Sequence, residues 1–124
     1  MTNHFRTLVQ GKLNLIDDLE SGEVVSDELI EEGKYYFGYR IRHTGTRFNL
    51  DYSNKRETIY LTGYLSTKGG SLKKLDEFTD KIISKLEELR IICSSDDIST
   101  IGSKVRKVLI TGYVNYDNLD GLLK

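Results

Sequence analysis

Apolar positions along this chain follow a helical period, then a strand period, then a helical period again. Over residues 3–19, Phe5, Leu8, Val9, Leu15, Ile16 and Leu19 recur at three- and four-residue spacing, which predicts an amphipathic helix with Thr2 or Asn3 as its N-cap. Gly22 breaks that pattern. The stretch "VVSDELIEEG" (24–33) reads either as a short helical turn capped by Ser26 and ended by Gly33, or as a loop.

From Lys34 the period becomes two. In "YYFGYRI" (35–41), Tyr35, Phe37, Tyr39 and Ile41 share one face, and Tyr36, Gly38, Arg40 and Arg42 the other. "HTGT" (43–46) is a turn signal through Gly45, and "RFNLDY" (47–52) alternates again with Phe48, Leu50 and Tyr52 inward. After a second turn at "SNK" (53–55) comes the strand "ETIYLTGYL" (57–65). It sets Ile59, Leu61, Gly63 and Leu65 against Thr58, Tyr60, Thr62 and Tyr64. Three strands with short connections predict an antiparallel meander. "STKGG" (66–70) is a flexible joint. Ser71 then caps a helix whose stripe is Leu72, Leu75, Phe78, Ile82, Ile83, Leu86 and Leu89. "CSSDDISTIGS" (93–103) reads as a polar connection, residues 105–116 as a last strand, and "DNLDGLLK" as a loose or partner-docked tail. The expected fold is α/β (α+β) in the order α-β-β-β-α-β. A mixed, mostly antiparallel sheet of four strands carries two main helices on one face, in a single domain spanning residues 1–124.

One feature of the pattern stands apart. "LTGYL" (61–65) returns as "ITGYV" (110–114), with glycine at the centre both times. Glycine weakens a strand interior, so a close approach to the sheet is expected at each. Both glycines fall on the apolar side, which suggests that the helix beginning at Ser71 rests on them. A strand–helix–strand path then makes the two copies parallel, with a right-handed crossover. A duplicated binding motif is the weaker alternative, since nothing else repeats. Gly38-Tyr39 is a third Gly-Tyr pair, but its glycine lies on the polar face and this explanation does not reach it.

Composition narrows the function classes. The chain has 124 residues, 30% charged and 38% hydrophobic, with net charge −1, so no global field marks it for nucleic acid or membrane surfaces. "MTNHFRTLVQGK" has neither a long apolar run nor a small-residue cleavage site, so no secretory leader is expected. No stretch approaches the length of a membrane span. A single cysteine, Cys93, forms no internal disulfide and suits a reducing interior. The eight tyrosines suit half-wet interfaces, where the ring buries and the hydroxyl stays hydrated.

Catalytic and metal chemistry find no purchase. His4 and His43 lack a spaced partner, and Asp96-Asp97 lacks the alternating ligands and closing glutamate of a calcium loop. Cys93 follows Ile91-Ile92 as a small packed residue, and "TKGGS" lacks phosphate-loop spacing. No catalytic residue, cofactor or metal ligand is expected. Charge is better organised. Asp17, Asp18, Glu20, Glu23, Asp27, Glu28, Glu31 and Glu32 form an acidic block, and Lys34, Arg40, Arg42, Arg47, Lys55 and Arg56 follow it as a basic one, against only Asp51. Three readings stay open. The blocks can neutralise each other within the chain, at ~0–1 kcal/mol per pair. The basic hairpin (40–56) can grip phosphates, as a small nucleic-acid-binding regulator would. Or copies can join head to tail, acidic side to basic hairpin, and close as a ring. Tyr60, Tyr64 and Tyr113 add an apolar component to the third reading, and single-strand binding would use the same rings for stacking.

The order of elements, from Phe5 to Tyr116, resembles the tail terminator (tail-completion) proteins of long-tailed bacteriophages and, less closely, the head–tail joining proteins. The most telling piece is "RETIYLTGYLSTKGGSLKKLDEFTDKIISKLEEL" (56–89), an arginine-led strand running through a Gly-rich joint into an amphipathic helix, followed after a polar loop by "KVLITGYVNYD". The resemblance implies a structural virion protein assembled in the host cytoplasm, without enzyme activity or cofactor. It forms a ring, commonly hexameric, that caps the tail tube, stops its polymerisation and offers a joining surface to the capsid neck. Its implied partners are copies of itself, the tail-tube protein and the connector or neck protein. Specific nucleic-acid binding is not implied, nor is a membrane. The candidate subunit interface comprises Arg40, Arg42, Arg47, Arg56, Glu28, Glu31, Glu32, Tyr60, Tyr64 and Tyr113. The loops 42–47 and 93–103 are candidates for contacting tube and neck.

Overall fold

The computed structural model describes residues 2–23, 30–47, 55–100, 102 and 104–115, the side chains of 2–4, 43–47, 55–57 and 115 excepted. The chain runs α1 (Thr2–Leu13), β1 (Leu19–Gly22), β2 (Tyr35–Arg47), β3 (Lys55–Lys68), α2 (Leu72–Glu87), β4 (Ile92–Asp97) and β5 (Val105–Asn115). The expected α+β class holds, with five strands among the described residues in the order β1-β2-β3-β5-β4. β1 pairs parallel with β2, and the other three pairings are antiparallel.

The first helix is shorter than its periodicity. It ends at Leu13, and Leu15 is 63% exposed while Ile16 stays buried. Asn14, Asp17 and Asp18 follow, and such residues favour turns by offering the backbone competing hydrogen bonds. Asp18, at φ 64°, redirects the chain into β1.

One strand, β2, runs through the expected turn at 43–46 and pairs antiparallel with β3; of the expected middle strand (47–52) only Arg47 is among the described residues. Gly45 lies inside β2, paired with Glu57, and the ladder continues unbroken to Arg47 opposite Lys55. Thr44 and Thr46 flank that glycine, and β-branched residues hold an extended backbone where one glycine alone does not reverse it. The segment 42–47 is therefore strand and not a loop. Phe48, Leu50 and Tyr52 lie outside the described residues, as do Ser26 and the tail from Tyr116.

Ser71 caps α2 as expected, its hydroxyl accepting the Lys74 N–H at 3.1 Å. The joint before it is held by specific bonds. Thr67 Oγ1 donates to the Lys34 carbonyl at 2.8 Å, the Gly69 N–H to that of Lys104 at 3.1 Å, and the Ser71 N–H to the Tyr35 hydroxyl at 3.0 Å. Gly69 sits at φ 70°, a conformation that favours glycine.

The expected polar connection after α2 contains β4, residues 92–97, and this changes the relation between the repeated strands. The extra strand reverses the chain once more, so β3 and β5 are neighbours and antiparallel, with Thr62 opposite Thr111. The crossover through α2 leads instead to β4. The close approaches at the two glycines are real, but neither is made by the helix. A Cβ at Gly63 would lie 2.5 Å from the Phe37 ring on β2, and one at Gly112 would lie 2.6 Å from Ile91 Cγ2 and 3.2 Å from Cys93 Sγ.

Both helices cover one face of the sheet. Phe5, Val9 and Leu13 of α1 and Leu75, Phe78, Ile82 and Leu86 of α2 bury against Phe37, Tyr39, Ile41, Ile59, Leu61, Leu65, Val108, Ile110 and Val114. Each large aliphatic or aromatic side chain buried this way contributes about 1.5–3 kcal/mol. Tyr35 stacks obliquely on Phe78 with centroids 4.7 Å apart, and Lys12 of α1 meets Glu88 just past α2 at 3.6 Å. On the other face no described helix packs; Tyr36 and Ser66 are buried at its β1 end, while Tyr60, Tyr64 and Tyr113 stay exposed.

Candidate functional site

The uncovered face can be built row by row from the strand register. One row across the sheet is Ile92–Tyr113–Tyr60–Arg42, the next Ser94–Thr111–Thr62–Arg40, and the third Asp96–Leu109–Tyr64–Gly38. A fourth row carries Lys107, Ser66, Tyr36 and Glu20. Tyr60, Tyr64 and Tyr113 are 41%, 46% and 42% exposed and Ile92 57%, so this face presents large apolar surface beside the exposed Arg40 and Arg42. Scattered exposed apolar side chains need no explanation, but a contiguous group rimmed by charge marks a contact surface. Lys107 Nζ lies 5.9 Å from the centre of the Tyr64 ring, within cation–π range. Among the described residues, Arg40 and Arg42 form no ion pair.

A concavity of about 410 Å³ opens on this face, lined by Arg40, Arg42, Lys107, Tyr36, Tyr64 and Glu23, with Gly38 among its walls. Gly38, which has no side chain, forms part of the wall of this hollow. That gives the third Gly-Tyr pair a place in the structure. At the rim, Glu23 pairs with Arg6 Nε at 3.3 Å. Behind it, the Tyr39 hydroxyl donates to Gln10 Oε1 at 2.6 Å, and burial, then the Glu23 carboxylate, push its pKa above the ordinary value while Arg6 pulls the other way.

No protein-family model matches this chain, and no curated protein does either.

Of the residues expected at an interface, Arg40, Arg42, Tyr60, Tyr64 and Tyr113 come together on this face. Arg47 and Arg56 extend the same ladder toward its end, Arg56 opposite Thr46 and Arg47 opposite Lys55, where only the backbone is described. Glu31 and Glu32 are exposed, but Glu32 bridges to Lys68, six residues along β3 from the partner of Arg40, a distance of roughly 20 Å. Those glutamates do not meet the arginines within one chain. Glu28 lies outside the described residues. The interface expected from sequence omits Glu23, Lys107 and Ile92. Lys107 follows from the period-two reading of the last strand. Ile92 follows only once 92–97 is recognised as strand.

The remaining chemistry is quiet. Cys93 is half-buried, and burial, with Glu87 nearby, pushes its thiol up to about 11. The Asp97 carboxylate accepts the Ser99 N–H at 2.9 Å, which holds its pKa below the usual range. Among the described residues, no three of His, Cys, Asp and Glu gather where they could hold a metal. No described helix is long and apolar enough to cross a membrane.

Proposed function

We propose that this protein is a structural assembly component that works through surface contacts and not through a reactive centre, as a phage tail terminator does. Copies associate as a ring, hexameric in the family it resembles, that caps the tail tube, stops its growth and presents a joining surface to the capsid neck. In this reading it acts in the virion after assembly in the host cytoplasm. The observation that carries the reading is the uncovered sheet face. A sheet of this kind normally buries its apolar side and leaves a polar one, yet here the second side carries Tyr60, Tyr64, Tyr113 and Ile92 beside Arg40 and Arg42. Tyrosine and arginine are the residue types enriched where proteins meet.

Analytical ultracentrifugation at two salt concentrations, alone and with tail-tube protein, tests it. Concentration-dependent rings that weaken with salt, and with Arg40→Glu, are expected. A strictly monomeric species under all these conditions refutes it.

The same rows support a second reading, in which tyrosine rings stack bases and Arg40, Arg42 and Lys107 meet phosphates. That regulator would bind single-stranded oligonucleotides at low salt with micromolar or better affinity. Absence of binding there removes it.

A further inference from the structure

The two edges of the sheet differ in charge. On one side β1 covers only Tyr35 to Gly38, and no described strand pairs with the outer edge of β2 from Tyr39 to Arg47. Arg6 Nη2 donates to the Ile41 carbonyl at 3.4 Å, which marks that carbonyl as pointing away from β3. By the alternation of antiparallel pairing, Tyr39, Ile41 and His43 turn their backbone groups outward together. On the far side β4 pairs only with β5. The Ile98 N–H donates to the Lys107 carbonyl at 3.0 Å, so the same alternation turns Cys93, Ser95 and Asp97 outward. The β4 edge thus offers three outward residues, and the β2 edge five, Gly45 and Arg47 continuing the alternation. The β2 edge carries Arg40 and Arg42, and the β4 edge carries Asp96 and Asp97, all four exposed or half-exposed.

We infer that copies of this chain join by adding the β4 edge of one to the β2 edge of the next, along the part that no described strand covers, with Arg6 yielding the Ile41 carbonyl to the incoming strand, so that the sheet continues from subunit to subunit. This rests on the reading that the protein self-associates, and it names the contact. A strand added at an edge sits ~4.8 Å from its neighbour. Continuing the sheet keeps its faces in register, so Asp96 lands on the same face as Arg40 and Arg42 of the next copy. The tyrosine rows then run on across the junction. Charge also selects the partner. Acidic side chains on an edge deter pairing with a like edge; Asp96 faces the arginines directly, and Asp97, opposite Val108 on the covered side, adds negative charge to the same edge, so β4 repels a second β4 while accepting the arginine-bearing edge. Two different edges joining is a heterologous contact, the kind that closes into rings.

The test uses two charge-reversed proteins, Asp96→Arg with Asp97→Arg, and Arg40→Asp with Arg42→Asp. None of the four side chains is buried, and far-UV circular dichroism checks that each variant folds. Each alone should associate roughly 10- to 100-fold more weakly than the parent. An equimolar mixture should recover assembly, because every β4 edge then finds a β2 edge of opposite charge. Amide hydrogen exchange over 39–47 and 92–97 should slow on assembly. A parent that assembles while both variants assemble equally well, or a mixture that fails to recover, overturns the edge contact and leaves self-association standing. A parent that never assembles overturns both.

Discussion

Replacing Gly63 with alanine probes why the repeated strand carries glycine. The new Cβ would lie 2.5 Å from Cε1 and Cζ of Phe37 and 3.1 Å from the Gly38 carbonyl oxygen. Non-bonded carbons rest at about 3.5–4.0 Å, so the methyl overlaps the ring by roughly 1 Å or more. The ring has little room to yield, since Phe37 is fully buried and stacks on Tyr39 with centroids 5.8 Å apart. Alanine gains about 0.4–1 kcal/mol by restricting the unfolded chain, and overpacking a core costs about 1–3 kcal/mol. With a carbonyl as well as a ring obliged to shift, the upper part of that range applies, and a net loss of about 2 kcal/mol is expected. For a domain of this size that lowers Tm by roughly 6–12 °C.

Urea unfolding followed by circular dichroism and tyrosine fluorescence measures the loss, the chain having eight tyrosines and no tryptophan. Phe37→Leu supplies the cross-check. Alone it leaves a void and costs about 1–2 kcal/mol, but it also clears the space in front of residue 63. The double variant should therefore be more stable than the sum of the two losses by about 1 kcal/mol. A neutral or stabilising Gly63→Ala, or two effects that add within about 0.5 kcal/mol, refutes the steric reasoning.

Gly11→Ala is the converse case. Gly11 lies within α1, and a Cβ there would meet nothing within 4 Å, so a gain of about 0.5–1 kcal/mol in unfolding free energy is expected. Ser71→Ala removes the cap of α2 and should cost about 1 kcal/mol, measured the same way. Alkylation of Cys93 should be slow in the native protein at neutral pH and accelerate toward pH 11, where its thiol ionises. Because the folded-state pKa is raised, the unfolded chain ionises first. The contribution of this thiol to stability is fully present below about pH 9 and is lost as the pH rises toward about 11, which pH-dependent unfolding of the parent against Cys93→Ala resolves.

Periodicity locates the elements whose two faces differ in polarity. The stripe of α2, the inward set of β2 and the two sides of β3 all follow from it, because burial on one face forces alternation. It fails where neither face is apolar. In β4, Ser94, Ser95, Asp96 and Asp97 are all exposed, and an edge strand of such residues carries no alternation to read. That one omission also misdirects the repeated strands, since a missing reversal turns an antiparallel pair into a parallel one. The candidate surface is half legible. Tyrosine and arginine positions follow from face assignment, whereas the separation of Glu32 from Arg40 depends on register, which no local pattern sets here.

The repeat itself serves two faces for different reasons. With Thr62 opposite Thr111, Gly63 faces Ile110 and Leu61 faces Gly112, so on the covered side each glycine meets a large aliphatic residue across the ladder. Copies aligned side by side in parallel would instead set glycine beside glycine, leaving a hole that close packing does not tolerate. The antiparallel arrangement thus conserves volume and accounts for the glycines. It does not account for the tyrosines. Tyr60 and Tyr113 stand opposite each other on the uncovered side, each about two-fifths exposed, where threonine or lysine would satisfy strand propensity and solubility better. Packing within the chain explains one side of this repeat, and contact with something beyond the described residues is the physical reason that fits the other.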